Sequence, residues 1–135
     1  MMSSAMPRRA LQVFLTILGS VAVVSGTVTM LFGVESIIGA KPAGPTADSE
    51  MRFFAVWYAG AGVVLLRAVP RVETHSTIVR AVGALFFLAG CGRLISLLVV
   101  GKPHQFSLWL MAIELSLPFV IVPWQALVAR QPSSR

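Results

Sequence analysis

The stretch "RAVGALFFLAGCGRLISLLVV", residues 80–100, carries a single charge in its interior, Arg93. It is long enough to cross the hydrocarbon core of a bilayer as a helix, which takes about 20 residues. A charge near the bilayer centre costs at least about 2.5 kcal/mol on insertion scales, so such residues usually pair inside a protein. We therefore expect a helix bundle in which Arg93 faces another helix rather than lipid.

Three further apolar runs have a comparable length. The chain is 56% hydrophobic and only 12% charged, with a mean hydropathy of +0.83, whereas a soluble domain carries about a quarter charged residues. The first run is too long for the apolar region of a signal peptide, about 7–15 residues, and we expect it to remain as a helix. The sequence predicts one all-α domain over residues 1–135, with membrane-spanning helices at about 10–34, 52–69, 80–100 and 106–128.

Basic residues predict how these helices are oriented, because Lys and Arg concentrate on the cytoplasmic side of membrane proteins. Short loops favour an antiparallel up-down-up-down bundle, and the charge count favours cytoplasmic termini. Nine Arg against two Lys hints at a bacterial genome rich in G and C, so the expected location is the bacterial inner (plasma) membrane. In this orientation seven basic residues lie inside (Arg8, Arg9, Arg67, Arg71, Arg80, Arg130 and Arg135) and three outside (Lys41, Arg52 and Lys102).

Small residues predict which helix faces meet. Between membrane helices, close approach of the backbones replaces the hydrophobic effect, so contact faces are rich in Gly, Ala, Ser and Thr. Such residues recur at helical spacing in the first three helices: Gly19, Ala22, Gly26, Thr29 and Gly33, then Ala55, Ala59 and Gly62, then Gly83 and Gly90.

The expected partner of Arg93 is Glu114. Arg93 lies eight residues before Gly101 and Glu114 lies eight residues after Phe106, so both side chains are about 12 Å below the outer turn at 1.5 Å per residue. An arginine fork matches a carboxylate in two parallel hydrogen bonds. Pro118 also frees the backbone carbonyl of Glu114, because a proline cannot donate to the residue four positions earlier.

Further polar residues on the outer side could extend this pair into a ligand-binding cluster. The candidates are Ser96, one turn from Arg93, and three residues nearer the outer surface, which are Glu50, Arg52 and His104. Tyr58 and Trp57 lie deeper and could form a wall. Asp48 or Ser49 is the expected N-cap of the second helix.

A structural interpretation of the same residues stays open. Arg93 has a long apolar stem and could reach the outer interface without meeting Glu114. A buried ion pair could also do no more than fix which helix faces meet.

Several segments resemble the bacterial four-helix membrane family known as domain of unknown function 4345. They are "SEMRFFAVWYAGAG", "GCGRLISLLVVGKP" and "WLMAIELSLP", and the resemblance extends from the first helix to about Val128. The matching positions are Glu50, Arg52, Gly92, Arg93, Ser96, Gly101 and Pro103. The resemblance implies the four-helix architecture and no particular activity.

Three hypotheses on function follow. The first is a non-enzymatic accessory module that binds a lipid or small ligand, with the bilayer and a membrane-protein partner or second copy as its partners. The alternative is a small transporter or proton-pathway subunit in which Glu114 titrates. An intramembrane enzyme ranks last, because there is no nucleophile elbow and no phosphate-binding glycine loop.

The sequence contains one cysteine and no spacing typical of metal ligands, which predicts no metal and no cofactor. The basic residues are not clustered as nucleic-acid binding requires.

Overall fold

The computed structural model describes residues 5–130, with side chains from Pro7 onward, and this part of the chain is entirely helical outside its loops. Two short 3-10 turns, Val34–Ser36 and Val69–Arg71, lie in the connections. All four α-helices are long and apolar enough to cross a membrane. The helices are α1 (Ala5–Phe32), α2 (Pro45–Ala68), α3 (Ser76–Val99) and α4 (Gln105–Ala129).

Three helices begin well before the apolar runs that predicted them. Helix α1 begins at Ala5 rather than at Ala10, α2 at Pro45 rather than at Arg52, and α3 at Ser76 rather than at Arg80. An apolar run indicates only the part of a helix that can lie in the hydrocarbon core. Polar turns at either end can extend the helix beyond that run. Pro45 suits this start because its fixed φ is helical and the missing N–H would have had no intrahelical acceptor.

The helix caps also differ from the sequence expectation. The N-cap of α2 is Gly44, and no side chain caps the helix there, so the prediction of Asp48 or Ser49 was wrong. Helix α1 was expected to continue through Val34 but ends at Phe32, because Gly33 adopts a φ of 72°. Glycine adopts such a positive φ readily because it has no Cβ.

The α1–α2 contact is the close small-residue seam that the sequence predicted. A Cβ added at Gly26 would lie 2.8 Å from the carbonyl oxygen of Ala55, and one at Gly62 would lie 2.7 Å from the carbonyl oxygen of Gly19. Along this seam residue numbers rise in α1 as they fall in α2. The two backbones approach so closely that only glycine fits at these positions.

The α3–α4 contact uses the predicted glycine face of α3. A Cβ at Gly83 would lie 3.2 Å from Cδ1 of Ile121, and one at Gly90 would lie 2.9 Å from Cγ of Leu115. The chain therefore forms two tightly packed helix pairs, which we call hairpin 1 (α1 and α2) and hairpin 2 (α3 and α4).

The two hairpins pack against each other mainly in one half of the bundle. We call its two ends the long-loop end, where residues 33–44 contact His104, and the Glu73 end, where residues 69–75 meet the start of α1. The shared core fills the half at the Glu73 end. The core consists of Leu11, Leu15, Leu65, Val69, Val72, Val79, Val82, Phe86, Leu117, Ile121 and Val128.

Candidate functional site

Arg93 and Glu114 form an ion pair between α3 and α4. Nε of Arg93 donates to Oε2 of Glu114 at 2.8 Å. The two side chains differ in environment: Glu114 is 5% exposed and Arg93 is 40% exposed. The contact expected from matching depth on neighbouring helices is therefore present.

The pair lies at the edge of the shared core. Glu114 precedes the core residue Leu117 by one turn of α4, and Arg93 follows the core residue Phe86 by two turns of α3. Residues at such spacings share a helix face. Both charged side chains therefore continue the inward faces of hairpin 2 beyond the point where the apolar core ends.

The pairing is less complete than the predicted two-bond fork. Only Nε of Arg93 reaches the carboxylate. Within residues 5–130, the terminal nitrogens Nη1 and Nη2 have no hydrogen-bond partner, and both remain accessible at the protein surface. The arginine is thus held in place by one bond and keeps four N–H donors for another acceptor.

Hairpin 1 contributes Tyr58 to the neighbourhood of this pair. The ring of Tyr58 packs edge-on against Phe86 of α3, with centroids 6.0 Å apart. Its hydroxyl lies beside Ser25 of α1 and within electrostatic reach of both charged residues. The role of Tyr58 as the wall of a ligand cavity stays a prediction, and Trp57 is 67% exposed on the surface of α2.

Arg52 does not join the pair. Its Nε donates to Oδ2 of Asp48 at 2.7 Å, and its Nη1 donates to the carbonyl oxygens of Met30 and Leu31 at 3.0 and 2.7 Å. Asp48 in turn accepts from the backbone N–H of Val34 at 2.9 Å. Because the last carbonyls of a helix lack intrahelical donors, Arg52 serves as a cap for the end of α1, and the prediction that placed it in a ligand cluster finds no contact to support it.

The other predicted cluster residues are also dispersed. Nδ1 of His104 accepts from the backbone N–H of Phe106 at 3.2 Å and so caps α4, while Gly39 packs against its ring. Glu50 and Ser96 are exposed. Within the described residues neither of their side chains has a hydrogen bond or ion pair. The structure therefore brings together Arg93 and Glu114 alone out of the six.

A second polar region, which the sequence analysis did not predict, lies at the Glu73 end. Nε and Nη2 of Arg8 donate to the two carboxylate oxygens of Glu73 at 3.0 and 3.1 Å, and Nε2 of Gln12 donates to the carbonyl oxygen of Val69 at 3.0 Å. The hydrogen bond from Arg8 holds the pKa of Glu73 below its ordinary value. These bonds tie the first turns of α1 to the connection between α2 and α3.

Gln125 ties α4 to the same connection. It is fully buried, and its Nε2 donates to the carbonyl oxygen of Val72 at 3.1 Å and contacts Oγ of Ser76 at 2.8 Å. Nε1 of Trp124 donates to the carbonyl oxygen of Pro7 at 3.0 Å. The partners of Gln125 lie at the connection between α2 and α3, whose path cannot be predicted from the periodicity of the sequence.

Chemically, the arrangement around Arg93 suits an anion better than a metal ion. No group of three or more His, Cys, Asp or Glu among the described residues could hold a metal. An arginine with free terminal nitrogens in apolar surroundings is a geometry that recognises carboxylate or phosphate oxygens. The buried carboxylate of Glu114 fixes the direction of that arginine.

Comparison with known proteins identifies a family but no activity. No curated protein and no solved structure matches this chain. One family model matches residues 10–125, which cover all four helices through Gln125. A chain with four apolar helices that matches this model over most of its length fits a small multi-pass membrane protein, and it belongs to the family described as domain of unknown function (DUF4345).

Proposed function

We propose that this protein is a non-enzymatic binding module of the bacterial inner membrane, which holds an amphiphilic lipid or small ligand by its anionic group at Arg93. In this proposal the bundle is antiparallel, up-down-up-down, with both termini in the cytoplasm and the long-loop end outside. The basic residues support the orientation, seven on one side against three on the other. The reversed pairing along both helix seams supports the topology.

The observation that carries the proposal is the incomplete pairing of Arg93. A purely structural ion pair would be expected to use the guanidinium fully, because each unpaired donor in a lipid environment costs free energy. Here one nitrogen binds Glu114 and the terminal nitrogens have no protein partner among the described residues. An anionic head group from the outer half of the bilayer would complete the set, with its apolar tail in lipid.

Glu114 acts in this proposal as a positioning residue. Its carboxylate is buried, so it remains beside Arg93, and it neutralises part of the charge when no ligand is bound. A ligand anion therefore meets an arginine whose orientation is already fixed, which lowers the entropic cost of binding.

A proton pathway through Glu114 is the weaker candidate. The buried polar residues of α4 are Glu114 and Gln125. The core residues Leu117 and Ile121 lie between them on the same face. Proton relays usually need ionisable groups at several depths, so two apolar turns make a continuous path unfavourable.

Purification with native lipids tests the proposed function. The wild-type protein in mild detergent is expected to retain an anionic amphiphile, identified by mass spectrometry of the extract. Arg93→Gln is expected to lose about tenfold of it or more, since a hydrogen bond to a charged group contributes about 1.5 kcal/mol or more. Arg67→Gln, which removes an exposed charge at the Glu73 end, is the control. Recovery of wild-type protein without any bound amphiphile would contradict the proposal.

A further inference from the structure

A second feature, independent of Arg93, is a groove on the outer surface of hairpin 2. It has a volume of about 660 Å³ and lies between α3 and α4 in the half at the Glu73 end. Apart from Arg80, its walls are apolar. The lining residues are Arg80, Ala84, Phe87, Leu88, Pro118, Phe119, Val122 and Pro123.

The two prolines of α4 help to form this groove. Pro118 and Pro123 lie inside the helix and both line the depression, where their compact rings leave space that a longer side chain would fill. Phe87 and Phe119 meet edge-on, with ring centroids 6.0 Å apart, and bound the groove. The result is an apolar channel along the outer surface of hairpin 2.

The length of the groove matches one leaflet of a bilayer. Arg80 lies one turn from the start of α3 at Ser76, and Leu88 lies eight residues further along the helix. At 1.5 Å per residue the groove therefore extends about 12 Å inward from Arg80. Half of a bilayer hydrocarbon core is about 15 Å thick. An acyl chain in the groove would run from head-group level almost to the midplane.

Charge selects the head group. Within residues 5–130, five exposed arginines lie at the Glu73 end: Arg9, Arg67, Arg71, Arg80 and Arg130. The one carboxylate described there, on Glu73, is already bound to Arg8. Arg80 forms no hydrogen bond or ion pair within the described residues, so its guanidinium is available at the mouth of the groove.

We infer that this groove is a binding site for an anionic phospholipid of the leaflet at the Glu73 end, with one acyl chain in the groove and the phosphate on Arg80. The inference does not rest on the proposed function, because the groove shares no residue with the Arg93–Glu114 pair and extends from there toward the Glu73 end. A zwitterionic lipid would fill the apolar channel equally well, but it would leave the positive field of this end uncompensated.

Native mass spectrometry tests the inference on the full-length protein. The detergent-solubilised protein is titrated with phosphatidylglycerol or with phosphatidylcholine that carries the same acyl chains. Arg80→Gln is expected to weaken phosphatidylglycerol binding about fivefold, the factor that corresponds to ~1 kcal/mol for one cation. Ala84→Phe, which fills the channel without altering charge, is expected to weaken it to a similar extent.

Two matched controls separate a site from general attraction. Arg67→Gln removes an exposed arginine of the same end outside the groove, and Ala81→Phe adds the same bulk at an exposed position of α3 outside the groove. Both are expected to retain wild-type binding. Equal losses in Arg67→Gln and Arg80→Gln, or equal affinity of the wild type for both lipids, would overturn the inference.

Discussion

Arg93 and Glu114 share one hydrogen bond of 2.8 Å across the α3–α4 seam, but only the carboxylate is buried. The cost of losing each partner should therefore differ. A buried carboxylate without its cation must either remain charged in apolar surroundings or take up a proton. An arginine without its carboxylate can still extend toward the accessible side.

Removing the arginine is expected to be the more damaging change. Arg93→Met should lower the free energy of unfolding by about 3 kcal/mol, the lower end for a broken buried pair. Glu114→Gln should cost only about 1 kcal/mol, because the amide oxygen can still accept from Nε. Unfolding in detergent with increasing denaturant measures both. Glu50→Gln and Arg67→Met serve as controls for loss of an exposed charge, and equal costs for the two pair variants would contradict the asymmetry.

The α1–α2 seam predicts which glycines tolerate a methyl group. Gly26→Ala places a Cβ 2.8 Å from backbone atoms of Ala55 and Ala59, and since backbone cannot move aside cheaply, a loss of about 1–3 kcal/mol is expected. Gly60 also lies in α2, but a Cβ there would meet nothing within 4 Å. Gly60→Ala should therefore be neutral or gain up to ~1 kcal/mol from better helix propensity.

Thermal unfolding of these two variants in one detergent measures the difference. A similar melting temperature for Gly26→Ala and wild type would mean that the helices are not held at this close distance.

The sequence was informative wherever the membrane itself imposes a rule. Gly26 and Gly62 could be assigned to contact faces because close packing between spans requires small residues at helical spacing. Glu114 could be matched to Arg93 because depth along two adjacent antiparallel spans can be counted from the turn that joins them.

Sequence reasoning failed where the path of a loop decides the contact. Arg52 was a candidate for the cluster around Arg93, but Arg52 and Asp48 bind the end of α1 and the residue after Gly33 instead. Residues 45–51 were predicted to be a loop because they contain no continuous apolar run. The helix nevertheless begins at Pro45. His104 was predicted to join the cluster but caps α4 instead. Its capping bond to Phe106 depends on the backbone angles of the turn, which the sequence does not reveal.

The Arg8–Glu73 pair predicts a weak loss of stability in acid. The hydrogen bond from Arg8 lowers the pKa of Glu73 in the folded protein below its value of 4.5 in a model compound. The stabilisation is therefore fully present above about pH 4.5 and is lost as the pH falls through the lower folded-state value. Both side chains are partly exposed, so the effect should not exceed about 1 kcal/mol.

Melting temperatures between pH 7 and pH 3 measure this effect. Glu73→Gln should start less stable at pH 7 and lose less on acidification than the wild type. Glu50→Gln, in which the altered side chain has no partner within the described residues, should follow the wild-type curve. If Glu73→Gln lost as much stability on acidification as wild type, the pair would not account for the acid sensitivity.

Gln125 gives the sharpest test of how the Glu73 end is held together. Its amide is fully buried and donates to the carbonyl oxygen of Val72, with Ser76 as its second neighbour. Gln125→Leu keeps a similar volume but leaves that carbonyl without a donor, which should cost about 1–3 kcal/mol. Ser76→Ala removes only the second contact and should cost less than Gln125→Leu. Hydrogen exchange of the backbone amides in residues 69–79 would report the effect locally, with faster exchange expected in Gln125→Leu. Unchanged exchange there, together with unchanged stability, would show that α4 is held to the α2–α3 connection by its apolar contacts alone.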